Sequence, residues 1–356
     1  MLFFYILANN TKFKILIKIN YTMKKYILIF IGIFALSFNT KGQDGFEGYL
    51  LADNNDRSKL IEAYINPAMK GLIFSMNNGW YHTAKVHKTF GFDFTIGANA
   101  SIVPGKDEIF SLSGLTSVNA GSITAASVAG SENNNPLTTV NFVENNVTYS
   151  TTFNAPGGVK ESLPLSVVPA PAMQFSMGLP ANFEVSLRFA PKSGYRSDDV
   201  EAGLLGIGLK KEITDWFGPI GKTPLHVSLL AAYTTMTVDY NINSTGDVNV
   251  QNGLAEFKLN AYTVQAIASL NFPIINIYGG IGYGSGNSTL KMTGDYNLSY
   301  GPLTRTITDP IDSKFNAGGM RTTAGLRLSL GFFKFFGSYT LQEYNTANLG
   351  IAFSFR

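Results

Sequence analysis

Six polar side chains occupy positions where a period-two pattern turns them away from apolar neighbours: Asp93, Asn99, Gln174, Glu184, Arg188 and Arg327. Phe92 and Phe94 flank Asp93. Phe183, Val185, Leu187 and Phe189 alternate with Glu184, Ser186 and Arg188, and Leu326 and Leu328 flank Arg327. In extended chain, alternate residues share a face, so the six polar groups lie opposite a greasy one. If lipid covers the greasy face, these groups line an interior, where ionisable side chains must pair with one another or touch water. Two chemistries suit such a set: an ion-pair network that fills a lumen, or a constriction that selects solutes by charge. Glu184 and Arg188 are four residues apart on one strand, roughly 13 Å, so each must find its partner on another strand.

Nothing else in the chain resembles a catalytic set. There are three histidines. His82 and His87 flank a turn and His226 begins a strand, so they read as surface or turn residues. A catalytic centre needs a nucleophile, a base and an orienting group, yet there is no G-x-S-x-G elbow and no histidine set at metal spacing. The run Gly279-Gly280-Ile281-Gly282-Tyr283-Gly284-Ser285-Gly286 resembles a phosphate loop only superficially. No Lys-Ser/Thr pair or helix follows it, and it sits inside a strand pattern, where glycines let a strand bend or neighbours approach. No enzymatic activity, cofactor or metal is expected.

The elements that position the six polar groups are strands. The last nine residues alternate strictly, with Leu349, Ile351, Phe353 and Phe355 on one face and Gly350, Ala352 and Ser354 on the other. Similar runs cover 90–102, 171–179, 183–190, 225–239, 256–270, 275–292 and 317–331, with weaker ones at 199–211 and 335–343. Each is about the nine to eleven residues a tilted strand needs to cross a bilayer. The connections alternate long and short, and the three longest (103–170, 240–255 and 293–316) fall at one end, as expected of outer loops above short periplasmic turns. In a soluble sandwich the positions opposite the apolar face would be charged, whereas here they are mostly Gly, Ser, Thr and Ala. The expected fold is all-β, a transmembrane antiparallel up-and-down barrel of ten to fourteen strands with a short N-terminal helix. Phe353 and Phe355 are the candidate assembly signal on its closing strand, and Trp80, Trp216, Tyr233 and Tyr283 are candidates for the aromatic girdle. Val140 to Phe153 reads as a hairpin, either two more membrane strands or a pair standing above the membrane, and 72–82 is a further candidate strand.

Composition agrees. Of 356 residues 14% are charged and 45% hydrophobic, with 36 Gly, 27 Phe and 17 Tyr. Soluble domains carry about 25% charged residues. A mean hydropathy of +0.08 argues against a helical membrane protein. With no cysteine there is no disulfide, zinc–thiolate site or lipoprotein anchor. Lys24-Lys25 and the apolar run Tyr26 to Phe38 read as a signal peptide, too short to span, with Met23 as the start and cleavage before Gln43. Six of the 27 basic residues lie in 1–42 with no acidic one, leaving 21 basic against 24 acidic and a net charge of −3. That balance gives no footprint for nucleic acid. The expected organisation is a signal region at 1–42, an N-terminal helical hatch at 43–70 and the barrel at 71–356. The helix is expected from Asp53 to Tyr64, ended by Pro67, and either fills the lumen or sits at the periplasmic mouth.

Tyr64-Ile65-Asn66-Pro67-Ala68-Met69 after a short helix resembles the segment ahead of the barrel in FadL-type long-chain fatty acid transporters. That resemblance implies fourteen strands, a hatch containing Asn66, Pro67 and Ala68, and a path for apolar molecules that exits sideways into the membrane. Gly79-Trp80-Tyr81-His82-Thr83-Ala84-Lys85 and Gly91-Phe92-Asp93 more closely resemble an uncharacterised outer-membrane barrel family of Bacteroidota-type bacteria, without assigned activity. The expected location is the outer membrane of a Gram-negative bacterium. The expected partners are outer-membrane lipid, the barrel-assembly machinery and a hydrophobic small molecule. The expected function is passive passage of apolar or amphipathic small molecules. The alternatives are a general porin and a surface-loop binding or structural protein.

Overall fold

The structure is a computed structural model that describes residues 46–144, 147–162, 166–194, 200–242, 248–300 and 303–355. The signal region and its cleavage point lie outside them.

The chain enters through two helices, α1 (Phe46–Leu50) and α2 (Asn54–Met76). Strand β1 (Phe92–Ile102) follows, then short loop strands β2 (Ile109–Ser111), β3 (Val118–Ala120), β4 (Thr124–Ala126), β5 (Leu137–Glu144) and β6 (Val147–Asn154). The remaining strands are β7 (Val167–Leu179), β8 (Phe183–Gly194), β9 (Val200–Glu212), β10 (Leu225–Ile242), β11 (Val248–Asn271) and β12 (Ile275–Tyr300). They continue as β13 (Leu303–Thr308), β14 (Ile311–Leu330), β15 (Phe333–Leu341) and β16 (Thr346–Phe355).

Ten of these strands close a ring of antiparallel neighbours in the order β11-β10-β9-β8-β7-β1-β16-β15-β14-β12, with β12 pairing back to β11. Closure leaves no open edge around the ring. The terminal strand sits between β15 and β1, with Phe355 opposite Phe92 and Ile351 opposite Phe335. Both weaker sequence candidates, β9 and β15, are ring members. The expected hairpin from Val140 is β5–β6, and it joins β3 in a separate three-stranded sheet among the loops, so it adds no membrane strand.

Side chains alternate as the period requires. Val264, Ile277, Ile281, Leu326, Leu328, Ile351 and Phe355 are exposed on the outside, while Asp93, Gln174, Ser186, Gln265 and Ala352 are buried inside. Tyr233 and Tyr283 stand on the outer face toward the loop end and Trp216 is exposed near a turn, as expected of girdle positions. Trp80 is a correction: it is buried in the lumen.

The helix departs most from expectation. α2 runs through Pro67 and ends at Met76, so 72–82 is not a strand. Proline within a helix costs about 3 kcal/mol. Beyond it Ile73, Phe74 and Met76 are buried against Phe257, Leu259 and Tyr344, and each such side chain contributes about 1.5–3 kcal/mol. Burial therefore outweighs the break. Asn66 and Ala68 are half-buried and Pro67 is buried, so the hatch candidates lie mid-helix rather than at its end.

α1 and the start of α2 lie at the loop end of the ring, not at its turn end. Tyr49 packs edge-on against Phe153, and Arg305 donates to the Leu51 carbonyl at 3.0 Å. Asp53 caps α2 by accepting from the Asp56 amide at 2.8 Å. The Asp56 carboxylate then accepts from the amides of Thr116 and Ser117, both at 2.7 Å, and from the Ser117 hydroxyl at 2.9 Å. Burial alone would raise its pKa, but these hydrogen bonds outweigh that and hold it below the ordinary carboxylate value. A depressed folded pKa contributes stability that is full above the unfolded value of about 3.9 and is lost as pH falls through the folded one. Limited proteolysis of the 103–166 loop should therefore accelerate below about pH 4, and Asp56→Asn should show fast cleavage already at neutral pH.

Candidate functional site

From Asn77 to Gly91 the chain runs down the inside of the ring with no regular secondary structure, then turns up into β1. Three layers of side chains hold it there.

The first layer closes the end of α2. A helix terminates in carbonyls without intrahelical donors and carries partial negative charge there. Asn77 and Asn78 amides satisfy the carbonyls of Ile73 and Ser75. Arg188 on β8 donates to the Met76 carbonyl at 3.1 Å and Arg321 on β14 to the Asn77 carbonyl at 2.9 Å. β8 and β14 are five places apart in the ring of ten, so the two guanidiniums grip the helix end from opposite walls. Arg188 also reaches Gln174 at 3.1 Å, and Arg321 donates to the side chain of Asn78. Above them Ser75 meets Ser101 at 2.7 Å. Gly79, at φ +71, turns the chain in a conformation that disfavours side chains. A Cβ there would come within 2.8 Å of both Asn99 and Asn348, which bond each other at 2.7 Å.

The second layer is aromatic. Trp80 lies under Arg188, whose guanidinium carbon is 3.9 Å from the ring centroid. On the wall beside it are Gly206 and Gly208, where a Cβ would stand only 3.0 Å from the indole. Tyr81 sits edge-on to Tyr278 and donates to Gln265 at 3.2 Å, over Gly280. The glycine-rich run of β12 thus gives close approach to the plug, as its place in a strand suggested.

The third layer is a continuous chain of ionisable groups nearest the turn end. Arg327 meets His82 at 3.0 Å, and His82 meets Asp93 at 3.1 Å. Asp93 lies 3.4 Å from His87, His87 lies 2.8 Å from Glu184, and Glu184 pairs with Lys210 at 2.7 Å. The Glu184 carboxylate also accepts from the His87 amide at 3.0 Å. His82 stacks on Phe336. Separately, Glu212 accepts from the Val86 amide and contacts His226 at 2.5 Å. Lower still, Thr83 contacts Ser269 at 3.1 Å.

All six sequence-derived lumen candidates point inward and all but Arg327 are buried below one-tenth exposure. Asp93, Glu184 and Arg327 belong to the charged chain, Gln174 and Arg188 to the clamp, and Asn99 to the glycine turn. Glu184 and Arg188 do not pair with each other, as their spacing required. The histidines are a correction. None is a bare surface residue: each contacts a carboxylate, and His82 and His87 bridge plug to wall. Arg321 and Lys210 were missed, although each sits in period two with its strand. Phe353 and Phe355 face outward against Phe333, Phe92 and Phe332.

Residues 23–355 match the model of a family of unknown function, DUF6588. No curated protein matches the chain. Similar solved structures include Ail, the attachment invasion locus protein of Yersinia pestis, in complex with the heparin analogue sucrose octasulfate. It is 10% identical, covers 75% of this chain and 100% of that one, and has a TM-score of 0.27. The translocator domain of the autotransporter NalP from Neisseria meningitidis is 10% identical, at 76% and 90% coverage and TM-score 0.29. The Ralstonia pickettii toluene transporter TbuX is 11% identical, at 83% and 93% coverage and TM-score 0.20. Likenesses this low carry no argument about activity.

Proposed function

We propose that the chain, which belongs to this family of unknown function, is an outer-membrane barrel that works as a gated conduit for small amphipathic molecules, with residues 71–91 as the gate. The turn end faces the periplasm and the loop end faces outward, following the general asymmetry of such barrels. The observation that carries the reading is the chemistry of the clamp. Among the described residues, Arg188 and Arg321 engage carbonyls and amide side chains of the plug and wall, and neither lies within salt-bridge distance of a carboxylate. Water can replace such bonds at a modest net cost of about 0.5–3 kcal/mol each. The Nε groups of both arginines and the amide nitrogen of Asn78 have no protein acceptor, so entering water is favoured. With the plug displaced, two cations would line opposite walls and attract a solute with an anionic head.

Because the natural chain has no cysteine, locking the gate is clean. Ser75→Cys with Ser101→Cys joins the helix end to β1, and Thr83→Cys with Ser269→Cys joins the lower plug to β11. Uptake of a labelled medium-chain carboxylate into cells or liposomes should stop on oxidation and return on reduction. Equal uptake by the oxidised, reduced and protein-free samples would end the proposal.

A further inference from the structure

Above the apolar band, four rows of outward residues on β10, β11, β12 and β14 stand in register. The first is Tyr233, Tyr262, Ser285 and Gly318. The second is Thr235, Asn260, Asn287 and Asn316. The third is Thr237, Lys258, Thr289 and Lys314, and the fourth is Asp239, Glu256, Lys291 and Asp312. The rows run from aromatic to amide to lysine and then to a mainly acidic row, and aromatic rings of this kind mark the membrane interface. Successive rows are two residues apart along a strand, roughly 7 Å.

The amides are connected. Tyr233 donates to Asn260 at 2.8 Å, and Asn260 donates to Asn287 at 3.4 Å. A cavity of about 460 Å³ opens at the same level, with Tyr262, Tyr283, Asn287 and Asn316 on its outer side. Gly286 and Gly318 keep the wall thin there, and the cavity reaches Lys70 of α2 and Glu343 of the β15–β16 turn, which pair at 3.1 Å. It lies where β14 rises past β15, whose pairing stops at Leu341 opposite Thr322.

We propose that this face binds the headgroup of a phosphorylated glycolipid of the surrounding leaflet. The asparagine row offers paired donors and acceptors to sugar hydroxyls, the cavity admits a ring, and Lys258 and Lys314 one row higher meet phosphate. In the fourth row Lys291 pairs with Asp312 at 3.5 Å and Glu256 pairs with Lys258 at 3.4 Å, so Lys314 meets phosphate directly and Lys258 does so by exchanging Glu256 for it. The tyrosines below seat the first carbons of the acyl chains, since amphipathic rings favour this level. The inference is independent of the gate, because the rows lie on the outer surface of the wall and the cavity meets α2 only at Lys70, ahead of residues 71–91.

The test uses the full-length barrel in nanodiscs of phosphatidylcholine doped with equal mole fractions of diphosphoryl lipid A, dephosphorylated lipid A or phosphatidylglycerol. Bound lipid is counted by native mass spectrometry after mild detergent stripping. Wild type should retain the diphosphoryl glycolipid, and Lys258→Glu with Lys314→Glu should lower retention by about tenfold or more. Asn287→Leu with Asn316→Leu should weaken both glycolipids while leaving phosphatidylglycerol unchanged. The gel shift between unheated and boiled samples verifies that each variant is folded. Retention unaffected by the lysine reversals overturns the proposal. So does retention of phosphatidylglycerol equal to that of the glycolipid, which would mean a generic anionic surface.

Discussion

Replacing Arg188 and Arg321 together by alanine should turn a closed barrel into a conducting one. Each arginine supplies the donor for a carbonyl at the negative end of α2, and hydrogen bonds to charged groups contribute about 1.5–3 kcal/mol apiece. Losing two shifts the balance between seated and displaced plug by about 3–6 kcal/mol, or about two to four powers of ten in the open population. The cation–π contact of Arg188 with Trp80 is lost as well. Planar-bilayer recordings should show rare openings in wild type and sustained conductance in the double variant. Lysine at both sites keeps the charge but not the planar fork, so it should fall between the two. A double-alanine variant that folds into the membrane and stays silent would mean that the plug is a fixed part of the core.

The residues that make this prediction possible differ in how far the sequence disclosed them. Arg188 was legible as a lumen residue because Phe183, Val185, Leu187 and Phe189 set the parity of its strand, and parity alone decides inside from outside. The same rule reached Asp93, Glu184 and Arg327 without any knowledge of their partners. It could not reach His82 or His87. The segment 77–91 has no period, since it is neither helix nor strand, and its conformation is dictated by walls contributed from β1 through β16. Trp80 reads as a girdle residue in the sequence for a related reason. An indole suits both an interface and a snug interior, and the glycines that cradle it, Gly206 and Gly208, lie far along the chain. Pro67 misled in the opposite direction. Its local cost is real, but the apolar residues beyond it are paid back only by tertiary contacts that no local pattern carries. The long loops and tight turns were legible as an alternation. That the N-terminal helix belongs to the loop end was not, because its contacts to Ser117, Phe153 and Arg305 span up to 254 of the 356 residues.

The charged chain leads to a second large effect, in stability rather than conductance. Glu184 engages Lys210, the His87 ring and the His87 amide. Removing one partner of a buried ion pair costs about 3–5 kcal/mol, because the remaining charge keeps its desolvation penalty. Glu184→Ala should therefore lower the unfolding midpoint of the barrel sharply, read from the gel shift of unheated samples across a urea or temperature series. Adding Lys210→Met removes the stranded ammonium and fills its volume, so the double variant should recover much of the loss. The coupling between the two sites should exceed 1 kcal/mol, the range expected of groups in direct contact. A null cycle, with losses that simply add, would mean that lumen water already screens the pair. Both residues also hold the plug, Glu184 through the ring and amide of His87 and Lys210 through the carbonyls of Thr83 and Lys85. Glu184→Ala with Lys210→Met should therefore raise the frequency of channel openings even where the unfolding midpoint recovers. Openings as rare as in wild type would mean that the clamp of Arg188 and Arg321 alone keeps the plug seated.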